Sequence, residues 1–178
     1  NISVGSGGLS SGDTGINFGG MIIDTSGSVS TPRLTARTDI FVTPGAAAAG
    51  RPNGPGVLNV GAATAGGEIR LIGSSITGAA LSSGGQTQIF ATLPVNLSSL
   101  STGGYTRISS DETITVGSVS GVDLDIRSAL GVTASSLTGS TSVRVGTGGP
   151  AVISSISGPT LNLESPSARL GSVSISGE

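Results

Sequence analysis

The chain repeats one short pattern at a nearly constant interval of 18 or 19 residues. The pattern is one polar residue between two apolar residues or between a threonine and an apolar residue. Its closing residues stand at positions 71, 89, 108, 126, 145 and 163. Self-similarity at a fixed period is the signature of repeat architectures, in which each unit packs only on its neighbours. The period therefore predicts a chain of stacked repeats.

Within each repeat, apolar residues alternate with polar ones, which is typical of strands and not of helices. Glycine accounts for 31 of the 178 residues, and both glycine and serine are poor helix formers. Short strands cannot bury their apolar sides alone, but parallel strands stacked about 4.8 Å apart share a continuous interior. We predict an all-β fold, a parallel β-helix (β-solenoid) with about 18–19 residues per coil, formed by residues 1–178 as a single domain.

A second pattern, an apolar residue followed by serine or threonine and then glycine, predicts a corner in each coil. Glycine suits a corner because the chain must turn there without a Cβ in the way. The pattern ends at Gly78, Gly103 (in a longer version), Gly121, Gly139, Gly158 and Gly177. Further upstream, residues 40–42 and 58–60 lie 18 apart, and residues 2–4 precede 22–23 by a similar step. We expect the same register over the whole chain.

The composition limits the interior and the available chemistry. Only 2% of the residues are aromatic, so the interior must be lined by aliphatic side chains. The net charge of −2 offers no basic surface to nucleic acid, and no run approaches the roughly 18 apolar residues of a membrane span. Without histidine or cysteine, Ser-His-Asp triads, Cys-His pairs and thiolate zinc sites are excluded. We expect no catalytic, cofactor-binding or metal-binding residues.

Asp123 and Asp125 form a close pair of carboxylates, and the alternation of the strand directs both outward. Paired carboxylates of this kind carry out the chemistry of glycosidases. In the stacked register, however, Asp125 lies between Arg107 of the preceding coil and Arg144 of the following one. We predict that these three residues form a structural charge ladder on the surface, in which each exposed pair contributes about 0–1 kcal/mol.

The segment 43–56, TPGAAAAGRPNGPG, interrupts the repeat. Its prolines and glycine turns resist a regular strand, so we predict an irregular loop that leaves the shaft. Solenoid proteins often carry function on such loops, and Arg51, Pro52, Asn53 and Gly54 are the candidate loop residues. An exposed insertion without function is the alternative.

Three stretches resemble the repeat region of filamentous-haemagglutinin-like exoproteins, which are exported by two-partner secretion. They are GGEIRLIGSSITG (66–78), VDLDIRSALGVTASSLTG (122–139) and PTLNLESPSARLGSVSISG (159–177). The resemblance is one of repeat style, covers most of the chain, and implies a right-handed β-helical shaft of a large bacterial adhesin. The secretion domain of that family carries an NPNGI motif, from which the RPNGP of residues 51–55 departs at both ends. We therefore do not assign a secretion domain.

These observations favour a non-catalytic structural shaft of a bacterial secreted or cell-surface adhesin-like protein. A second hypothesis is a self-assembling extracellular fibre subunit that stacks end to end through its terminal coils, since neither end carries an obvious polar cap. A third is a polysaccharide-binding or polysaccharide-cleaving β-helix. The expected partners are adjoining coils, other copies of the chain, and glycans or proteins of host or neighbouring cells, with no nucleic acid among them.

Overall fold

A computed structural model describes residues 2–3, 9–11, 20–25, 27–44 and 56–177. All regular structure in these residues is β-strand, and they contain no helix, which confirms the all-β prediction. The strands are β1 (Ile2–Ser3), β2 (Leu9–Ser11), β3 (Met21–Thr25), β4 (Val29–Ala36), β5 (Ile40–Pro44), β6 (Val57–Ala65), β7 (Ile69–Gly73), β8 (Ser75–Ser83), β9 (Thr87–Ala91), β10 (Val95–Thr102), β11 (Thr106–Ser110), β12 (Thr113–Ser128), β13 (Gly131–Thr147), β14 (Ala151–Gly158), β15 (Thr160–Glu164) and β16 (Ala168–Ile175).

The strands stack into two walls, and every pairing among the described residues is parallel. The long wall contains β1, β2, β4, β6, β8, β10, the first parts of β12 and β13, β14 and β16. The short wall contains β3, β5, β7, β9, β11, the second parts of β12 and β13, and β15. The chain runs alternately along the two walls, so the predicted parallel β-helix is confirmed.

The register of the short wall is the one that the sequence period predicts. Its in-register partners run in the order Leu71, Ile89, Ile108, Ile126, Val145 and Leu163. Each step along this column is one coil of 18 or 19 residues. The predicted column and coil length are therefore confirmed.

Long-wall strands contain a corner near their middle. In β10, burial alternates through Val95 and Leu97, breaks at the neighbouring residues Ser98 and Ser99, and resumes at Leu100. The pairing of β10 with β12 lapses at Ser98 as well. Two successive outward residues shift the phase of the alternation by one position, which keeps the apolar side of the strand inward beyond the corner.

The interior is a stack of aliphatic side chains. The buried hydrophobic residues that the structure describes are all isoleucine, leucine, valine or alanine, and a fully buried leucine or isoleucine contributes about 1.5–3 kcal/mol. Two inward positions of the short wall are taken by Thr87 and Thr106, both 0% exposed. The Thr87 hydroxyl shares a hydrogen bond of 2.8 Å with the hydroxyl of Ser83. The predicted aliphatic lining is confirmed, with a small polar inclusion at the corner between the walls.

The second predicted column, that of the closing glycines, is only partly correct. Leu100, Val119, Leu137 and Ile156 do pair in succession. Ile76, however, pairs with Val95 before the corner of the long wall, and not with Leu100. At the other end, Ile156 pairs with Val173 and not with Ile175. The motif occurs on both sides of the long-wall corner, so it does not distinguish the two halves of a strand.

The expected register near the N-terminus is wrong because the coil that joins residues 40–42 to residues 69–71 is longer than 18 or 19 residues. Residues 40–42 pair with residues 69–71 on the short wall, whereas residues 58–60 belong to the long wall. This coil includes the segment 43–56, and the residues that it joins are 29 positions apart. Thr43 and Pro44 continue β5, and residues 45–55 lie outside the described part of the chain.

The first motif of the chain was also assigned to the wrong wall. Residues 2–3 pair with residues 29–30 in the long wall. Ile22 pairs with Phe41 in the short wall. The two motifs are separated by about one repeat in the sequence, but they lie on different walls and do not stack on each other.

Glycine doublets form successive corners between the long and the short wall. A Cβ on Gly84 would run into the carbonyl oxygen of Gly66, and a Cβ on Gly103 would run into that of Gly84. The Gly85 N–H donates a hydrogen bond of 2.9 Å to the Gly67 carbonyl. Glycine is needed at these corners because the coils approach each other closely.

We predict that Ile126→Asp will unfold the stack. Ile126 is 0% exposed in the short-wall column, so an aspartate there would place an unpaired charge among aliphatic side chains, at a cost of about 3–5 kcal/mol. Denaturant unfolding followed by circular dichroism measures this loss in the free energy of unfolding.

Ile22→Asp is the matched control, because Ile22 is 78% exposed. The free energy of unfolding of this variant should stay within about 0.5 kcal/mol of the parent value. If Ile126→Asp were as stable as the parent, the inward column described above would be wrong.

Candidate functional site

The predicted charge ladder lies on the outer side of the short wall. The register places Asp125 between Arg107 of the preceding coil and Arg144 of the following coil. Asp125 alternates with the inward residues Leu124 and Ile126. The backbone of the strand therefore directs the side chains of the ladder away from the interior.

Asp125 accepts hydrogen bonds from two side chains that the sequence did not predict. Arg127 Nε donates to Asp125 Oδ1 at 2.9 Å, and the Tyr105 hydroxyl donates to Asp125 Oδ2 at 3.1 Å. Arg107 Nε lies 3.9 Å from Asp125 Oδ2. Arg144 makes no ion pair with any residue that the structure describes. Tyr105, Arg107, Asp125 and Arg127 together form what we call the Asp125 cluster.

The prediction of an exposed ladder is wrong for Asp125 itself, which is only 6% exposed. The side chains of Arg107 and Arg127 remain 40% and 51% exposed and lie over the carboxylate together with Tyr105. A hydrogen bond to a charged group contributes about 1.5–3 kcal/mol, more than an exposed ion pair. Strand alternation sets the direction of a side chain but not what covers it, which is why the burial was not foreseen.

A sequence signal existed for Arg127 but not for Tyr105. Arg127 follows Asp125 by two residues, so strand alternation alone places both on the same side of the wall. Tyr105 precedes β11, and its hydroxyl reaches the next coil to contact a residue 20 positions later. The period of 18 or 19 residues does not predict this offset.

Arg107 is held mainly by packing. Its guanidinium carbon lies 5.7 Å from the centre of the Phe90 ring, within the range of a cation–π interaction. Phe90 is on the preceding coil, where it pairs with Ser109. Arg107 Nε is buried and has no hydrogen-bond partner. Arg107 therefore contributes positive charge near Asp125 without a direct hydrogen bond to it.

The cluster raises the pKa of two of its members. Burial raises the pKa of Tyr105 above its ordinary value of 10.0, and the nearby charge of Asp125 raises it further. The hydrogen bond that Asp125 accepts also raises the pKa of Arg127. Both shifts favour the protonated donors, so the Tyr105 hydroxyl and the Arg127 guanidinium keep their hydrogen bonds to Asp125 at neutral pH.

Asp123 has a different partner from Asp125. Ser142 Oγ donates to Asp123 Oδ1 at 2.9 Å, and Ser142 is the in-register partner of Asp123 on the following coil. Asp125 instead accepts from Tyr105, which belongs to the preceding coil. The two carboxylates are thus acceptors in two separate cross-coil hydrogen bonds.

Three further findings concern the other predicted features. The candidate loop residues Arg51, Pro52, Asn53 and Gly54 lie outside the residues that the structure describes. Within the described ranges, no three or more aspartate or glutamate side chains cluster closely enough to hold a metal ion. In the same ranges, no helix has the length and apolar character needed to cross a membrane.

No protein-family model, curated protein or solved structure matches the chain. The resemblance to filamentous-haemagglutinin-like exoproteins stays a prediction from the style of the repeats. The classification that the structure supports is therefore one of fold, a parallel β-solenoid.

We predict that Asp125→Asn will lower the free energy of unfolding by about 1–3 kcal/mol. The neutral amide would remove the charge that Arg107 and Arg127 face in this covered site. Urea unfolding at neutral pH measures the change. Asp123→Asn is the matched control and should cost less than about 1 kcal/mol, because Asp123 is only half-buried. Equal losses in the two variants would contradict the role of the Asp125 cluster.

The ionisation of Tyr105 provides a second measurement. Tyr105 is the single tyrosine and the chain has no tryptophan, so ultraviolet absorbance reports this phenol alone. Its pKa in the folded protein should lie above 10.0 and move back toward that value in Asp125→Asn. The folded state keeps the proton longer than the unfolded chain, so the contribution of Tyr105 to stability is constant below about pH 10 and is lost as the pH rises through the folded-state pKa. A folded-state pKa at or below the ordinary value would contradict this account.

Proposed function

We propose that the chain is a non-catalytic structural shaft of an adhesin-like protein that bacteria secrete or display on their surface. The observation that carries this proposal is the repetition of one register along the short wall, from β7 to β15. Each coil pairs only with its neighbours, so the stack is a rod whose length grows with the number of coils. Such a rod can hold a binding domain away from a cell surface.

Side-chain hydrogen bonds between coils support the same role. Ser75 Oγ donates to the Pro94 carbonyl at 3.1 Å, and Gln86 Nε2 donates to Glu68 Oε2 at 2.9 Å. These bonds join residues that are 19 and 18 positions apart, which is one coil. They add to the backbone pairing of the walls, so separating two coils requires many bonds to break together.

The carboxylates of the short wall support a role without catalysis. The chain contains no histidine or cysteine, so an acid–base mechanism would depend largely on carboxylates. Asp123 and Asp125 accept hydrogen bonds from Ser142, Arg127 and Tyr105. In Asp125 each carboxylate oxygen already accepts a hydrogen bond, Oδ1 from Arg127 and Oδ2 from Tyr105. Both residues are used to join coils.

The resemblance in repeat style supports an extracellular location. By the same resemblance, the partners of the shaft are adjoining solenoid coils and glycans or proteins on a host or neighbouring cell. The absence of cysteine is compatible with secretion, since a stack of paired strands does not depend on disulfide bonds.

Surface labelling tests the proposed role. An antibody against the purified chain should label intact, unpermeabilised cells of the producing organism, and gold-conjugated antibody should lie along projections from the surface. Antibody first absorbed with purified chain is the control. Label that appears only after the cells are permeabilised would refute the shaft at the surface.

A fibre subunit that stacks end to end is a second candidate, and the exposed or partly exposed apolar residues of β15 and β16 are the observation that bears on it. Val173 and Ile175 in β16 are 46% and 49% exposed, although Ile156, which pairs with Val173, is buried. Leu161 and Leu163 in β15 are also only partly buried. Among the described strands, β16 pairs with β14 alone, so its other edge can receive a parallel strand, either of an adjoining coil or of a second copy.

Substitution at this end tests the second candidate. Under the fibre hypothesis, the native chain forms particles many times heavier than 17.1 kDa, and Val173→Glu reduces them to monomers by adding charge to the contact. Val152→Glu is the matched control, because Val152 is 40% exposed on the outer side of β14 and does not lie at the end. Light scattering and negative-stain images measure both. A parent chain that is monomeric, or equal effects of the two substitutions, would rule out stacking through β16.

A further inference from the structure

The outer side of the short wall also carries a groove of about 730 Å³. The groove crosses the coils of β11, β12, β13 and β15, three steps of about 4.8 Å each. It adjoins the Asp125 cluster and shares Arg127 with it. The lining residues that matter here are Asp111, Arg127, Arg144, Gly146, Asn162 and Glu164. The shaft role does not use this groove.

Gly146 creates the space in the groove. It lies in register between Arg127 of the preceding coil and Glu164 of the following coil, in an outward row of the wall. A Cβ at Gly146 would meet no atom within 4 Å, unlike at Gly84, where it would run into a carbonyl oxygen. Glycine weakens a strand and packs nothing, so at a position with free space it indicates that something else approaches the backbone closely.

Arg144 supplies a positive charge that the protein itself does not use. Its side chain is exposed and makes no hydrogen bond or ion pair with another described residue. Its in-register neighbour Asp125 is already engaged by Arg127 and Tyr105. Guanidinium groups bind carboxylates with two parallel hydrogen bonds. Arg144 is therefore suited to one carboxylate of a ligand that lies over Gly146.

The remaining lining residues select against a dense polyanion. Asp111 and Glu164 balance the charges of Arg127 and Arg144, so the lining has no net charge. Carboxylate oxygens accept hydrogen bonds from hydroxyl groups, and the amide of Asn162 can both accept from hydroxyl groups and donate to them. No aromatic side chain lines the groove, which leaves no platform for stacking against an uncharged ring. The lining therefore matches a ligand that combines many hydroxyl groups with widely spaced carboxylates.

We propose that this groove binds an acidic glycan, a sugar chain that carries isolated carboxylates. Arg144 binds a carboxylate of the glycan, the backbone at Gly146 lets a sugar ring approach the wall, and Glu164 and Asn162 bind its hydroxyl groups. The site goes beyond the shaft role, because the coils would stay stacked even if a larger side chain filled the groove.

Calorimetric titration with tetragalacturonate tests the proposal, and its fully methyl-esterified form is the uncharged comparison. The native chain should bind the tetragalacturonate with a Kd below about 1 mM and the ester at least about tenfold more weakly. Arg144→Gln should weaken binding by about tenfold or more. Arg70→Gln is the matched control, because Arg70 is an exposed arginine of the same outward column, several coils away. It should bind as the parent does.

Gly146→Val separates binding from folding. Valine fills the groove and favours a strand, so this variant should melt at or above the temperature of the parent and lose saturable binding. No saturable binding by the parent, or equal weakening by Arg144→Gln and Arg70→Gln, would overturn the proposal. Equal binding of inorganic sulfate would also overturn it by showing an anion site only. Surface labelling is independent of these titrations, so the shaft role and the glycan site can fail separately.

Discussion

The structure depends on parallel backbone pairing between each coil and the next. This pairing places every residue directly over its counterpart one coil earlier, so an inward isoleucine always meets an inward side chain of its own column. It also brings the coils so close at the wall corners that a Cβ on Gly84 or Gly103 would clash with a carbonyl group of the preceding coil. The interior, the corners and the outer rows of side chains all follow from this one constraint.

The sequence predicted the short wall well because each coil uses that column once. Leu71, Ile89 and Ile108, which close successive copies of the pattern, are each one coil apart. Their spacing in the sequence therefore gives directly the pairs that lie in register. The long wall contains a corner and carries the apolar–serine–glycine motif on both sides of it. Ile76 was therefore assigned to the wrong half of its strand. A local motif that lies before the corner in one coil and after it in another indicates the type of structure but not its position within the coil.

The candidate site was likewise predictable only in part. The position of Asp125 between Arg107 and Arg144 follows from the period, whereas its burial depends on how far neighbouring side chains extend. Tyr105 reaches Asp125 from a corner, outside the regular columns. Because side-chain reach is a property of the folded surface, the period alone could not predict it. The spacing of the sequence also does not reveal the open space over Gly146, because that space depends on how the neighbouring side chains are placed in the folded protein.

The coil that joins residues 40–42 to residues 69–71 separates two properties of a solenoid. It spans 29 positions, yet the strands that it joins still pair in parallel, over three residues between β5 and β7 and over seven between β4 and β6. The number of residues in a single coil can therefore change without interrupting the parallel pairing of the stack. A segment can therefore be inserted between β5 and β6 without any change in the number of coils. Such a chain can acquire an appendage and gain length by separate genetic events.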